Sequence, residues 1–131
     1  MISYEWRGHF ENAEVNALHA DGFGHRVLDD DWQAQVRAHS LGWACARDGD
    51  GLAGFVNVAW DGGVHAFILD TLVAARAQHQ GVATSLVALA RDESRRAGCD
   101  WLHVDFEDHL RPLYFGSCGF TPTNAGLIAL R

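Results

Sequence analysis

The sequence predicts an α/β fold of the α+β, mixed-sheet kind, with helices on both faces of one sheet. Three features carry that prediction. Strand patterns separated by turn residues fill positions 41–73, a strongly periodic helix follows at 82–97, and another strand comes directly after it at 101–106. Strands joined by tight turns must run antiparallel, whereas strand–helix–strand is a parallel crossover, so the sheet is mixed.

The elements follow in order. Ile2, Tyr4 and Trp6 alternate with Ser3, Glu5 and Arg7, which reads as a short half-buried strand. Glu11 to about Ala20 is weakly helical with Val15 and Leu18 as its apolar side, and Asp21-Gly22-Phe23-Gly24 breaks it. Asp29-Asp30-Asp31 supplies carboxylates for the positive end of a second helix, in which Trp32 and Val36 are one turn apart and which ends near Ser40. Leu41–Arg47 and Leu52–Trp60 flank Asp48-Gly49-Asp50-Gly51, a hairpin signal, and Asp61-Gly62-Gly63 turns the chain into Val64–Val73. Val82, Leu86, Leu89, Ala90 and Ala97 form one helical stripe, with Gly98 where a C-terminal cap belongs. Trp101–Phe106 reads as a strand, His109–Ser117 as a short helix, and Phe120 onward as one or two closing strands. The predicted order is β-α-α-β-β-β-α-β-α-β(β).

Composition narrows the function classes. At 131 residues the chain is read as a single domain, 1–131, and 48% apolar with 21% charged residues excludes a disordered chain. Apolar runs such as Ala66–Leu69 and Leu86–Ala90 fall far short of the ~20 residues of a membrane span, so no membrane partner is expected. The opening M-I-S-Y-E-W-R-G reads as structure, with no apolar signal region. Cys45, Cys99 and Cys118 are odd in number and lack CxxC spacing, which points to reduced thiols and a cytoplasmic setting. Ten basic residues, all arginine, face seventeen acidic ones for a net charge of −7. Because phosphate neutralisation supplies most nucleic-acid affinity, an acidic chain without an arginine stripe argues against a nucleic-acid partner.

The most informative stretch is Leu72–Leu86, L-V-A-A-R-A-Q-H-Q-G-V-A-T-S-L, which leaves a strand and enters a helix at Gly81-Val82-Ala83. The first turn of a helix has unpaired N–H groups and partial positive charge, and small residues let an anion approach the backbone. A glycine at a helix start is also ordinary punctuation. The GxxxxGK[ST] and GxGxxG phosphate signatures are absent.

Gln78-His79-Gln80-Gly81-Val82-Ala83 resembles the Q/R-x-x-G-x-G/A motif of the GNAT superfamily of acyl-CoA-dependent N-acyltransferases. Asp70-Thr71-Leu72-Val73 is similar to the strand before that motif, Gly119-Phe120 to the G-F that closes the family's fourth helix, and the likeness in element order covers nearly the whole chain. The resemblance implies an acetyltransferase that moves an acetyl group from acetyl-CoA to a primary amine of a small molecule or peptide. It implies that the cofactor-binding residues are Gln78, His79, Gly81, Val82, Ala83 and Thr84 around the pyrophosphate, with Leu72 and Val73 beside the pantetheine. No metal is implied, and a homodimer is left open.

One departure bears on the chemistry. The family often carries Y-x-x-x-G-F, whose tyrosine protonates the departing thiolate; here Phe115 holds that place and Tyr114 stands one residue earlier. One helical step turns a side chain by ~100°, so Tyr114 serves as the acid only if Pro112 or a wider turn at Gly116 re-registers the helix; otherwise it packs. For the base, Asp70 shares a strand face with Leu72, and Glu107 lies with His103 and Asp105 on one face of the next strand. The catalytic candidates are therefore Tyr114, Asp70 and Glu107. Trp32, Trp43 and Trp60 are core candidates that could also line an acceptor pocket. The alternative to an enzyme is a CoA-binding or ligand-binding module of the same fold without efficient catalysis.

Overall fold

The computed structural model describes all 131 residues. β1 (Ser3–Trp6) leads into α1 (Asn12–Phe23) and α2 (Trp32–His39), followed by β2 (Ser40–Asp48), β3 (Gly51–Trp60) and β4 (His65–Val73). A 3₁₀ turn at Ala75–Ala77 precedes α3 (Val82–Arg96) and β5 (Trp101–Val104), and the chain then makes a 3₁₀ turn at Asp108–Leu110 and a π-helical turn at Pro112–Ser117. The strands form one sheet in the order β1-β2-β3-β4-β5, antiparallel except for the parallel pair β4–β5. It is the mixed α/β sheet that the sequence predicts. No helix is long and apolar enough to cross a membrane.

Alternation along the strands feeds two cores. Ala44, Ala46, Val56, Val58 and Ile68 pack with Val82, Leu86 and Ala90 of α3 on one face. Trp43, Cys45, Phe55 and Leu72 pack with Phe10, Val15, Trp32 and Val36, under α1 and α2, on the other. Fully buried side chains such as Phe55 and Leu86 each stabilise the fold by roughly 1.5–3 kcal/mol relative to exposure. Gly54 lets α3 approach the sheet, since a Cβ there would lie 2.9 Å from Val82 Cγ1 and 3.1 Å from the Leu72 carbonyl oxygen.

Glu14 ties α1 to the β2–β3 hairpin. Its carboxylate accepts from Arg47 Nη2 at 2.8 Å and from the Leu52 amide at 3.0 Å. The Arg47 hydrogen bond, aided by the Glu11 and Leu52 amides and opposed by burial, lowers the Glu14 pKa from 4.5 to about 2. A depressed folded-state pKa contributes stability that is present above the unfolded value and lost as pH falls through the folded one. Stability should therefore decline between pH 4.5 and about 2, and Glu14→Gln should flatten that decline in thermal unfolding measured across the same window.

β4 carries the irregularity that shapes the site. Phe55 pairs with Leu72, but Asn57 pairs with Leu69, so β4 holds one extra residue at Asp70-Thr71. Asp70 has φ +53°, and the bulge reverses the alternation: Ile68 faces the α3 core, whereas Leu72, four residues on, faces the α1–α2 core. Pairing with β5 runs only from His65–Trp101 to Ile68–Val104, and stops where the bulge begins.

Other elements differ from expectation. α1 continues through Gly22 and ends at Gly24, whose φ of +70° makes the left-handed cap. β5 ends at Val104, two residues before Phe106. The short helix expected at 109–117 is the tight 3₁₀ turn followed by the wide π turn. The closing strands from Phe120 onward do not form, and residues 121–131 are exposed without strand structure. A strand exists only through a partner; Gly119, at φ +77°, redirects the chain, and Pro122 has no N–H to give a ladder. β5 is consequently the edge of the sheet.

Candidate active site

The loop into α3 gathers the predicted anion-binding residues. Gln78 is extended, His79 has φ +63°, and Gly81 caps α3 at φ +76° with no side-chain cap bond. Gly81 needs this glycine conformation because a left-handed residue with a Cβ is strained by roughly 1–2 kcal/mol. The Ser85 amide makes the first helical bond, to the Gly81 carbonyl. The amides of His79 to Thr84 have no acceptor among the loop, cap or side-chain hydrogen bonds, so the positive end of a 15-residue helix carries a row of unpaired donors. The Val82 side chain is buried in the core, which leaves only its backbone to bind; Gln78, His79 and Gly81 are exposed.

The split between β4 and β5 begins one turn of chain earlier. The Ala74 amide donates to the Ala53 carbonyl at 2.8 Å, so Ala74 and Leu72 direct their backbone groups at β3. Val73 therefore turns its N–H and C=O the other way, into the space that β5 no longer fills. The Leu72 side chain is buried, and Val73 is half-buried. A cavity of about 1030 Å³, open to solvent, runs along β5 from Trp101 past Val104 and is lined also by Ile68 of β4, by Thr84 in the first turn of α3, and by Phe115, Cys118 and the tail; Leu72 and Val73 do not line it.

Tyr114 is buried beside this split, and the π turn explains how. The Cys118 amide donates to the Leu113 carbonyl at 2.8 Å, a span of five residues in place of four. The extra residue brings Tyr114 inward, to 5% exposure, stacked on Phe106 at 4.7 Å and edge-on to Phe120 at 6.0 Å. Phe115 is half-buried, with the Arg111 guanidinium 5.6 Å from its ring. The re-registration that the sequence analysis required is present. Burial raises the Tyr114 pKa above 10.0, with the nearby Thr71 hydroxyl opposing, so the phenol is protonated at neutral pH. That Thr71 hydroxyl is itself buried without a hydrogen bond of ordinary geometry.

The carboxylates part company. Asp70 faces α1, where its Oδ1 lies 3.6 Å from His19 Nε2. Glu107 lies beyond β5 with a side chain 76% exposed, beside His109 at 3.5 Å, and does not join Asp70. His103 faces His65 at 2.8 Å and stacks on Phe67, and no three His, Cys, Asp or Glu residues gather as a metal site. Nor do the tryptophans form a pocket: Trp32 donates to Asn16 and Trp43 to the Gly8 carbonyl inside the core, while Trp60 is exposed at the end of β3. The Cys45 thiol is buried and its pKa is pushed up to about 12, mainly by desolvation, which makes it inert as a nucleophile.

Sequence reasoning missed His19, His25 and Thr71. His19 was detectable, because it stands four residues after Val15 and so continues the sheet-facing stripe of α1. His25 and Thr71 carry no comparable signal.

A family model described as the Acetyltransferase (GNAT) family matches residues 5–120. Among solved structures, a GNAT family acetyltransferase from Streptococcus pneumoniae aligns with a TM-score of 0.76 at 22% identity over 100% of both chains. A protein of unknown function from meticillin-resistant Staphylococcus aureus, named a probable acetyltransferase, aligns at 0.79 with 19% identity over 100% of this chain and 99% of its own. A predicted acetyltransferase from Clostridium acetobutylicum, solved with acetyl-CoA, aligns at 0.76 with 13% identity over 98% and 96%. At such identities the likeness shows the shared fold. No curated protein matches the sequence.

Proposed function

The chain belongs to the GNAT acetyltransferase family, and we propose that it transfers an acetyl group from acetyl-CoA to a primary amine. The observation that carries this reading is the row of unpaired amides from His79 to Thr84 at the start of α3, with Thr84 lining the same cavity as Ile68 and Val104, the last β4–β5 pair. A pyrophosphate needs several donors and a field of positive sign, and the start of α3 supplies both without a lysine. Gln78, His79, Gly81, Val82, Ala83 and Thr84 would hold it, while Leu72 and Val73 would run beside the pantetheine arm. Acetyl-CoA supplies the activated acyl group.

The rest of the chemistry belongs to this chain's own residues. The Val73 N–H faces the split and would donate to the oxygen on which charge develops. The Tyr114 hydroxyl, kept protonated by burial, would give its proton to the departing thiolate. Asp70, on the α1 side of β4 with His19 beside it, belongs to the basic group that takes the ammonium proton; Glu107, exposed and turned to His109, is the weaker candidate. The acceptor is best read as a cationic amine, since a chain with net charge −7 attracts that form.

The π turn that buries Tyr114 supports catalysis over the alternative, a CoA-binding or ligand-binding module without efficient catalysis. Thiol release from acetyl-CoA across a panel of small amines, polyamines and lysine peptides, run beside a CoA binding titration, tests the reading. Turnover with at least one amine is expected. Tight CoA binding with no turnover on any amine would leave the module as the function.

A further inference from the structure

A line of polar groups runs from the split to the protein surface on the α1 side of the sheet. Asp70 Oδ1 lies 3.6 Å from His19 Nε2, His19 Nδ1 lies 2.7 Å from His25 Nε2, and His25 Nδ1 lies 2.6 Å from the Arg26 carbonyl oxygen. Asp70 and His19 are mostly buried, with side chains 23% and 24% exposed, whereas His25 is exposed. Phe23, Trp32 and His25 pack against the His19 ring at 4.5, 5.4 and 4.9 Å. Of the elements around His19, α2 brings the neutral Trp32, α1 the neutral Phe23, β4 the carboxylate of Asp70 and the loop after α1 the imidazole of His25. This arrangement has no counterpart in the sequence motif.

The hydrogen bonds fix where protons sit. A carbonyl oxygen only accepts, so His25 Nδ1 carries a hydrogen. When His25 is neutral its Nε2 must accept, and His19 Nδ1 must donate to it. His19 Nε2 is then a lone pair facing the Asp70 carboxylate across 3.6 Å, too far for a hydrogen bond and without a proton of its own. The line thus leaves one ring nitrogen free to accept a proton, His19 Nε2, beside the Asp70 carboxylate. Asp70 sits there because of the bulge, immediately before Thr71, whose side chain meets Tyr114 from the other face of β4.

We propose that His19, Asp70 and His25 form the relay that removes the proton from the incoming ammonium, an inference that rests on the acetyltransferase reading above. The ammonium N–H bond breaks and its proton passes to His19 Nε2, where Asp70 holds the imidazolium. His19 Nδ1–H then passes a proton to His25 Nε2, exposed His25 releases its Nδ1 hydrogen to water, and exchange with water after the product leaves returns both rings to the Nδ1–H tautomer. The freed nitrogen lone pair forms the bond to the acetyl carbon as the carbon–sulfur bond breaks. Tyr114 protonates the thiolate and recovers its proton from the second nitrogen-bound hydrogen, so one proton leaves to solvent per turnover. His19 is the catalytic base, and His25 is a positioning residue that fixes its tautomer and opens the exit.

Two measurements test the relay. Nitrogen-15 imidazole NMR of the free protein above the histidine titration range should show neutral His19 and His25 both carrying hydrogen on Nδ1; hydrogen on Nε2 of His19 would overturn the relay without touching the acetyltransferase reading. The second compares wild type, His19→Gln and Asp70→Asn with an amine that the wild type acetylates; asparagine is chosen because it tolerates the positive φ. His19→Gln should lower kcat about 10²-fold near neutral pH, with the deficit shrinking as rising pH supplies free amine and with CoA affinity unchanged. A deficit equal at every pH means that His19 only packs, and an undiminished rate means that it takes no proton; either overturns the relay while acetyl transfer stands. A wild type that acetylates no amine overturns the acetyltransferase reading, and the relay's catalytic role with it.

Discussion

Replacing Tyr114 by Phe should lower kcat by ~10²-fold or more while leaving the fold and CoA affinity in place. The phenol is 5% exposed and held above its ordinary pKa by burial, so it carries its proton through neutral pH. A thiolate leaving beside Tyr114 needs a proton, and a phenol that keeps its own can supply it. Phe keeps the stack on Phe106 and the edge contact with Phe120, so packing is retained. Thr71, the hydroxyl nearest the phenol, makes no hydrogen bond of ordinary geometry in the wild type, so removing the phenolic oxygen orphans no partner. The stability cost should therefore stay below about 1 kcal/mol. Steady-state kinetics with a saturating amine, checked by thermal unfolding and a CoA titration, decides the matter. If the Phe enzyme keeps most of its rate, water or the thiol's own acidity supplies the proton and Tyr114 merely packs. Phe115→Leu, one position along, should change kcat little by comparison, because Phe115 has no proton to give.

Gly81→Glu should weaken CoA binding by roughly 5- to 10³-fold. A like charge placed about 4 Å from a phosphate costs ~1 kcal/mol in water and ~4 kcal/mol near a protein surface, which spans that range. In the unliganded protein a Cβ at Gly81 meets nothing within 4 Å, so the substitution should not block folding. The left-handed φ of +76° adds strain of roughly 1–2 kcal/mol, for which Gly81→Asn is the control: it carries a side chain suited to that conformation and no charge. Calorimetric titration with CoA should show a small loss for Asn and a large one for Glu. Equal affinities for the Glu variant and wild type, both folded, would move the pyrophosphate away from the start of α3.

Much of this architecture is written in short-range signals. Asp48-Gly49-Asp50-Gly51 turns β2 into β3, the spacing of Val82, Leu86 and Ala90 builds the buried side of α3, and Gly81 opens that helix with bare amides. Such features depend on neighbours within about one turn of chain, through φ preferences, periodicity and unpaired helix ends, so they survive reading without a structure. The closing strands show the limit of that reading. Leu127, Ile128 and Leu130 have strand-like composition, yet they are 82%, 87% and 91% exposed, because a strand is a relation to a partner and not a property of a segment.

The site itself was only half legible. Gln78 to Thr84 are contiguous, so their convergence follows from one loop and one helix. The inward turn of Tyr114 depends on whether a six-residue segment winds as α or π, a choice made by packing on Phe106 and Phe120 and invisible in the count from Gly119. The split between β4 and β5 depends on a bulge at Asp70 that changes which face each later residue of β4 presents. The same bulge brings Asp70 to His19 across 51 positions of chain, and separates it from Glu107, which the sequence had ranked beside it. By itself, then, the sequence determined the mixed sheet, its helices and the glycine-capped loop with unpaired amides at the start of α3, since each arises from local backbone preference. The tertiary structure alone decided the burial of Tyr114, the meeting of Asp70 with His19 and the gap between β4 and β5, since each rests on register: one residue added to a strand or a helical turn swings every following side chain to a new direction.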